Sequence, residues 1–203
     1  MSDTRCSKAN EYARNHGLRQ FSVYQGYWNA ASREFEREII PMCRAEGMGI
    51  CPWGSLGGGK FKTEQQRHFG EGCNIDYREN EIRACRALEV VADRRSTSMS
   101  NIALAYVMLK APYVFPVVGC RKTEYLKSSI EALTIQLTDD EIKEIDSEVP
   151  LDWGFPHNLL WAGGAGDSYQ DVWLLRTGGH FDYVKNTKVN SCTAIPAAVR
   201  LSC

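Results

Sequence analysis

The chain has 203 residues, 43% of them hydrophobic and 24% charged, which is the balance of a soluble globular protein with room for one domain and a sizeable core. Its formal net charge of −1 removes the general electrostatic case for nucleic acid or an anionic membrane as partner, and no apolar run is long enough to span a bilayer. The opening Met1-Ser2-Asp3-Thr4-Arg5 lacks the apolar run of a signal peptide, the eight cysteines show no CxxC spacing and the four histidines are scattered, so a reduced, cytoplasmic protein without a metal site is expected.

In chain order, residues 7–16 read as a helix closed by Gly17. Residues 21–25 alternate in a β-rich run and predict a strand. Ser32 is placed to cap a helix with Phe35, Ile39, Ile40 and Cys43 on one face and Gly47 at its end. The charged run 33–38 reads as the solvated face of that helix. Residues 48–53 predict a second, buried strand, and the polar stretch 61–78 an excursion.

Residues 79–95 predict a helix whose Ile82, Cys85, Leu88, Val91 and Ala92 form a core stripe, and residues 98–109 another with Ile102, Ala105, Tyr106 and Leu109 inward. Residues 114–119 predict a third strand, in which Pro116 implies a strand end or an edge. Residues 123–133 predict a helix capped by Thr123. Thr138-Asp139-Asp140-Glu141 matches a capping box ahead of Ile142, Ile145 and Val149, with Pro150 as the stop. Strands separated by helices mean parallel βα units, hence an α/β fold. So few parallel strands need cover on both faces and both edges. Residues 151–168 carry Gly163-Gly164-Ala165-Gly166 without a clear period, 171–175 form a candidate short ordered piece, and 185–203 show no pattern.

The strongest chemical signal is Cys51-Pro52-Trp53-Gly54-Ser55-Leu56-Gly57-Gly58-Gly59-Lys60, a strand end opening into a glycine-rich loop that closes on a lysine. Glycines let backbone N–H groups approach an anion, a lysine adds a point charge for phosphate, and a tryptophan offers a flat face for an aromatic ring. Together they point to a nucleotide cofactor; a plain glycine loop beside a core tryptophan is the alternative. Gly119-Cys120-Arg121-Lys122 lies between the third strand and a helix N-terminus, where two cations either suit a phosphate or form a solvated basic turn.

Several separated segments, in order, carry a resemblance: Tyr24-Gln25-Gly26-Tyr27-Trp28-Asn29, residues 33–42, the Pro52 to Lys60 loop, Ala103-Leu104-Ala105-Tyr106-Val107, Val117-Val118-Gly119-Cys120-Arg121-Lys122 and Gly154-Phe155-Pro156-His157. The chain resembles the C-terminal half of an aldo-keto reductase, most narrowly the fungal aryl-alcohol dehydrogenase and norsolorinic acid reductase group. The resemblance covers about residues 2–157, which would make 1–157 the reductase-like domain and 158–203 a C-terminal extension. It implies part of a (β/α)8 barrel, with residues 2–4 after the fifth strand and the three strands read above as the sixth, seventh and eighth. The family's catalytic Asp, Tyr, Lys and His would come from the other half, so no residue here receives those roles.

The resemblance further implies NADP. Ser2, Asp3 and Gln25 would lie near the nicotinamide carboxamide, Asp3 standing where many relatives carry asparagine. Trp53 would stack under the nicotinamide. Gly54, Ser55, Leu56, Gly57, Gly58 and Lys60 would wrap the pyrophosphate. Gly119, Arg121 and Lys122 would hold the 2′-phosphate, with Tyr125 and Ser129 toward adenine. His157 would be substrate lining or structure. The implied reaction interconverts aryl alcohols and aldehydes, or alcohols and ketones, by hydride transfer. The competing readings are a non-catalytic remnant that binds at most a dinucleotide, and an interaction protein using the apolar surface that a half barrel exposes.

Overall fold

Strands and helices alternate along residues 3–68 and helices follow along 76–160, which with Gly178 are the residues that the computed structural model describes. The elements are α1 (Asp3–Asn15), β1 (Val23–Tyr27), α2 (Ile39–Glu46), β2 (Gly49–Trp53), α3 (Glu64–His68), α4 (Glu79–Arg94), α5 (Met99–Lys110), α6 (Thr123–Glu131), α7 (Asp139–Glu148) and α8 (His157–Leu160). Residues 161–177 and 179–203 lie outside the described part, and with them the readings at 163–166, 171–175 and 185–203.

β1 and β2 pair in parallel, Val23 opposite Gly49 and Tyr27 opposite Trp53, with α2 in the crossover that a parallel pair requires. The expected third strand is present only as two bridges, Ile50–Val114 and Trp53–Val117. Ile50 N–H donates to the Tyr113 carbonyl, Phe115 N–H to Ile50 and Val117 N–H to Pro52. A continuous ladder would next need an N–H from residue 52 to the Phe115 carbonyl, and proline has none. The interruption therefore comes from Pro52 in the neighbouring strand. Pro116 alternates away from β2, on the edge side where proline is tolerated.

Alternate residues divide the sheet. Tyr24, Ile50 and Val114 join the core with Leu88, Val91, Ile102, Tyr106 and Ile145 from the helices. On the opposite face Val23, Tyr27, Trp53, Phe115 and Val117 stay 41–59% exposed, an open apolar surface on a parallel sheet.

The helices show which local signals carry. α1 begins four residues before the expected start, because nothing between Asp3 and Ser7 breaks a helix. Ser32 caps nothing. A single tight turn covers Glu34–Glu36, and α2 starts only at Ile39, which puts Pro41 in the first turn, where its missing N–H is harmless. α4 and α5 match their expected spans, and Ser98 caps α5 by accepting the Asn101 N–H. Thr123 does not cap α6: it is already the first helical residue, and Lys122 precedes it without a side-chain cap.

The capping box of α7 forms as read, Thr138 Oγ1 accepting the Glu141 N–H at 3.2 Å and Glu141 accepting the Thr138 N–H at 2.8 Å. Glu141 also receives Arg95 at 2.6 and 2.8 Å, and this guanidinium holds its carboxyl down at about 2. A depressed carboxyl adds stability above its ordinary range and loses it as pH falls through the folded value, so this clamp persists down to about pH 2. Thr138→Ala is expected to cost about 1 kcal/mol in urea unfolding. An unchanged midpoint would show that Arg95 alone anchors the helix start.

The run 33–38 is only partly a solvated face: Glu34 and Glu38 are exposed, but Arg33 and Glu36 turn inward. Arg33 is buried and forks onto Glu36 at 3.0 and 2.9 Å, while its Nη1 donates to the carbonyls of Asp146 and Val149. Lys110 joins Glu36 and Asp146 at 3.0 and 2.7 Å, and the Tyr106 hydroxyl donates to Asp146. With the first helical turn lost to Pro41, these charges fold inward against α5 and α7 rather than outward on a helix.

Candidate functional site

The three parallel segments end together, Tyr27 beside Trp53 and Trp53 beside Val117. The loops that leave this rim are where open parallel sheets place ligands. Trp53, at the tip of β2, is 50% exposed, and its indole tilts 54° against Tyr27 at a centroid distance of 4.7 Å, so part of its surface remains open to a planar ring. Gln25 lies exposed on the same sheet face, opposite Cys51.

The glycine loop is folded tightly on itself. The N–H groups of Gly57, Gly59 and Lys60 donate to the carbonyls of Gly54, Leu56 and Gly57. Gly54 has φ +70°, and a Cβ there would fall 2.3 Å from the Tyr27 ring, so only glycine fits under that tyrosine. Gly58 at φ +63° has open space around it, room for an anion to approach the backbone. Ser55 is buried with Oγ 3.5 Å from the carbonyls of Trp28 and Pro52, so its hydroxyl is turned into the protein. Leu56 packs on the core. Lys60 Nζ is engaged 2.8 Å from both Glu81 oxygens.

At the third segment, Gly119, Arg121 and Lys122 are exposed, and no side chain caps α6. Its free N–H groups beside two cations fit a phosphate. Lys122 Nζ lies 5.9 Å from the centre of the exposed Tyr125 ring. The Ser129 hydroxyl donates to the Tyr125 carbonyl at 2.9 Å, which leaves it acceptor capacity only. Asp3 contributes the first residue of α1, and Ser2 lies outside the described residues. His157 turns its Nε2 toward Glu38 at 3.4 Å, a tie to the residue before α2. Among the described residues no His, Cys, Asp and Glu grouping could hold a metal ion, Cys6, Cys43, Cys51, Cys85 and Cys120 are free thiols, and no helix is long and apolar enough to cross a membrane.

The model of the aldo/keto reductase family matches residues 2–149. The chain belongs to that family. It is 44% identical to norsolorinic acid reductase B of Dothistroma septosporum over 90% of this chain and 50% of that protein. It is 46% identical to an aryl-alcohol dehydrogenase of Pestalotiopsis microspora over 90% of this chain and 48% of that protein. It thus spans about half the length of these curated relatives. A solved thermostable aldo-keto reductase in complex with epalrestat is similar at a TM-score of 0.48 and 22% identity, over 62% of this chain and 39% of that one. The α/β architecture, parallel strands joined through helices, is that of a partial barrel.

In this aldo/keto reductase chain the residues that hold the rim together include two to which sequence reasoning assigned no role. Asn29 is buried just past β1; its Nδ2 donates to the Gly54 carbonyl at 2.9 Å and its Oδ1 accepts the N–H groups of Ala31 and Ser32. Trp28, fully buried and stacked on Phe35, donates its backbone N–H to the Trp53 carbonyl. The start of the glycine loop, at Trp53 and Gly54, is thereby bolted to the β1 exit. The adjacent Trp-Asn pair at a strand end was the available signal, but nothing local names the partner.

Proposed function

We propose that this chain forms the cofactor side of an NADP-dependent aldo/keto reductase that interconverts aryl alcohols and aldehydes, or alcohols and ketones. The observation that carries the reading is the convergence of Gln25, Trp53, the glycine loop and the uncapped, cationic start of α6 at the carboxyl ends of adjacent parallel segments. Bound NADPH would supply the hydride. Trp53 stacks on the nicotinamide and shields one of its faces, and Gln25, with Ser2 and Asp3, hydrogen-bonds the carboxamide. Backbone groups of Gly54, Ser55, Leu56, Gly57 and Gly58, with Lys60, hold the pyrophosphate. Gly119, Arg121 and Lys122 take the 2′-phosphate, and Tyr125 and Ser129 the adenine.

No residue of this chain is assigned the general acid that protonates the substrate oxygen. Catalytic turnover is assigned to the protein in which the rest of the family's barrel is present. The cytoplasm is the compartment proposed.

Titration of the purified chain with NADPH, following tryptophan fluorescence, tests the cofactor reading. Saturable quenching is expected, with Trp53→Leu binding about 5- to 150-fold more weakly, in line with about 1–3 kcal/mol of ring stacking. Equal affinity in the variant would remove Trp53 from the site. NADP-dependent oxidation of benzyl-type alcohols by the 203-residue chain alone would place the acid within it and overturn the division of labour proposed here.

A further inference from the structure

Lys60 is the cation of the glycine loop, and an internal carboxylate already occupies it. Its Nζ lies 2.8 Å from each Glu81 oxygen and 3.1 Å from the Asp76 carbonyl. The pair is shielded, with 26% of the Lys60 side chain and 14% of the Glu81 side chain exposed. Glu81 has a second duty, because it accepts the Arg78 N–H at 2.9 Å and so completes the first turn of α4. The centre of the Tyr77 ring lies 6.0 Å from Lys60 Nζ and 5.8 Å from the Arg67 guanidinium. Arg67 Nη1 is buried and makes no hydrogen bond among the described residues. The glycine loop thus ends on a cation that the Glu81 carboxylate already holds with both oxygens, and the α3 cation Arg67 approaches the same tyrosine ring.

We propose that Glu81 is an internal stand-in for the pyrophosphate, holding Lys60 while the loop is empty and yielding it to the incoming anion. This rests on the dinucleotide reading above. A carboxylate and a phosphate present equivalent oxygen pairs to an ammonium group, so the two compete for the same donor. The phosphate has the stronger claim, since it adds charge and meets backbone N–H groups of the loop. Exchange leaves Glu81 bonded to the Arg78 N–H, so α4 keeps its start. The sign of the effect separates this role from a structural one: removing the charge of Glu81 tightens anion binding, whereas removing a structural brace would weaken it.

Glu81→Gln keeps an oxygen for the Arg78 N–H, since Glu and Gln serve alike at that helix position, and deletes the charge. Wild type, E81Q, Lys60→Gln and the double variant are titrated calorimetrically with NADPH and with inorganic pyrophosphate. E81Q is expected to bind both about fivefold more tightly than wild type, the fold-change of a modest ion pair. Lys60→Gln binds more weakly, and the double variant matches Lys60→Gln because no lysine remains to compete for. In wild type the Glu81 carboxyl carbon, followed by NMR, shifts at saturating pyrophosphate as Lys60 departs, a readout that does not depend on any variant folding. Wild-type binding of NADPH with E81Q equal or weaker, or with no carboxyl shift, overturns the stand-in and leaves the dinucleotide reading intact. No binding of either probe by any of the folded proteins overturns both.

Discussion

Arg33→Met is expected to destabilise the fold by about 3–5 kcal/mol, the cost of removing one partner from a buried ion network. Glu36 then keeps Lys110 at 3.0 Å but loses the two-pronged guanidinium, and the carbonyls of Asp146 and Val149 lose their donor. Burial pushes the Glu36 carboxyl up, but hydrogen bonding and charge from Arg33, with the charge of Lys110, outweigh it and hold the group below the ordinary range. A depressed carboxyl contributes stability that is complete above its unfolded value and disappears as pH falls through its folded value. In the variant Glu36 is nearer to neutral in acid and then needs no cation. The deficit is therefore largest at neutral pH and shrinks on acidification below the usual glutamate range. Urea unfolding of both proteins at neutral and acidic pH checks this; a deficit below about 1 kcal/mol, or one that does not change with pH, would mean that solvent already screens the network.

Asn29→Ala is expected to lower stability by about 2–3 kcal/mol and to weaken NADPH binding beyond what lost stability explains. The buried Ala31 N–H loses its acceptor, and the Gly54 carbonyl loses the donor that ties the glycine loop to β1. Asn29→Asp separates the two effects. It keeps the acceptor for Ala31 and Ser32 but cannot donate to Gly54 while ionised, so NADPH affinity falls although the local turn is retained. Full affinity in a folded Asn29→Asp protein would show that the loop holds its shape without this bond.

Much of this chain is written locally. α4, α5 and α7 were legible because an apolar period and a cap lie within one or two turns of each other, as with Ser98 ahead of Ile102 and Thr138 ahead of Glu141. The glycine loop was legible because strand end, tryptophan, glycines and lysine are contiguous. The family was legible because separated motifs keep their order.

What only the tertiary structure decided are the choices of partner. Lys60 meets a carboxylate 21 residues away, Asn29 reaches a carbonyl 25 residues away, and Arg33 reaches carbonyls 113 and 116 residues away. The third segment was expected to be a strand on its own composition, yet a missing N–H on Pro52 of its neighbour reduces it to two bridges. Backbone propensity and capping act over a few residues. The charge that a lysine faces, and the donor that a carbonyl finds, depend on which helix faces and strand ends pack together. The sequence by itself therefore determined most of the elements, the place of the glycine loop and the family, while packing determined that the loop's lysine is already held, that Arg33 and Glu36 of the charged run turn inward and that the loop start is tied to Asn29.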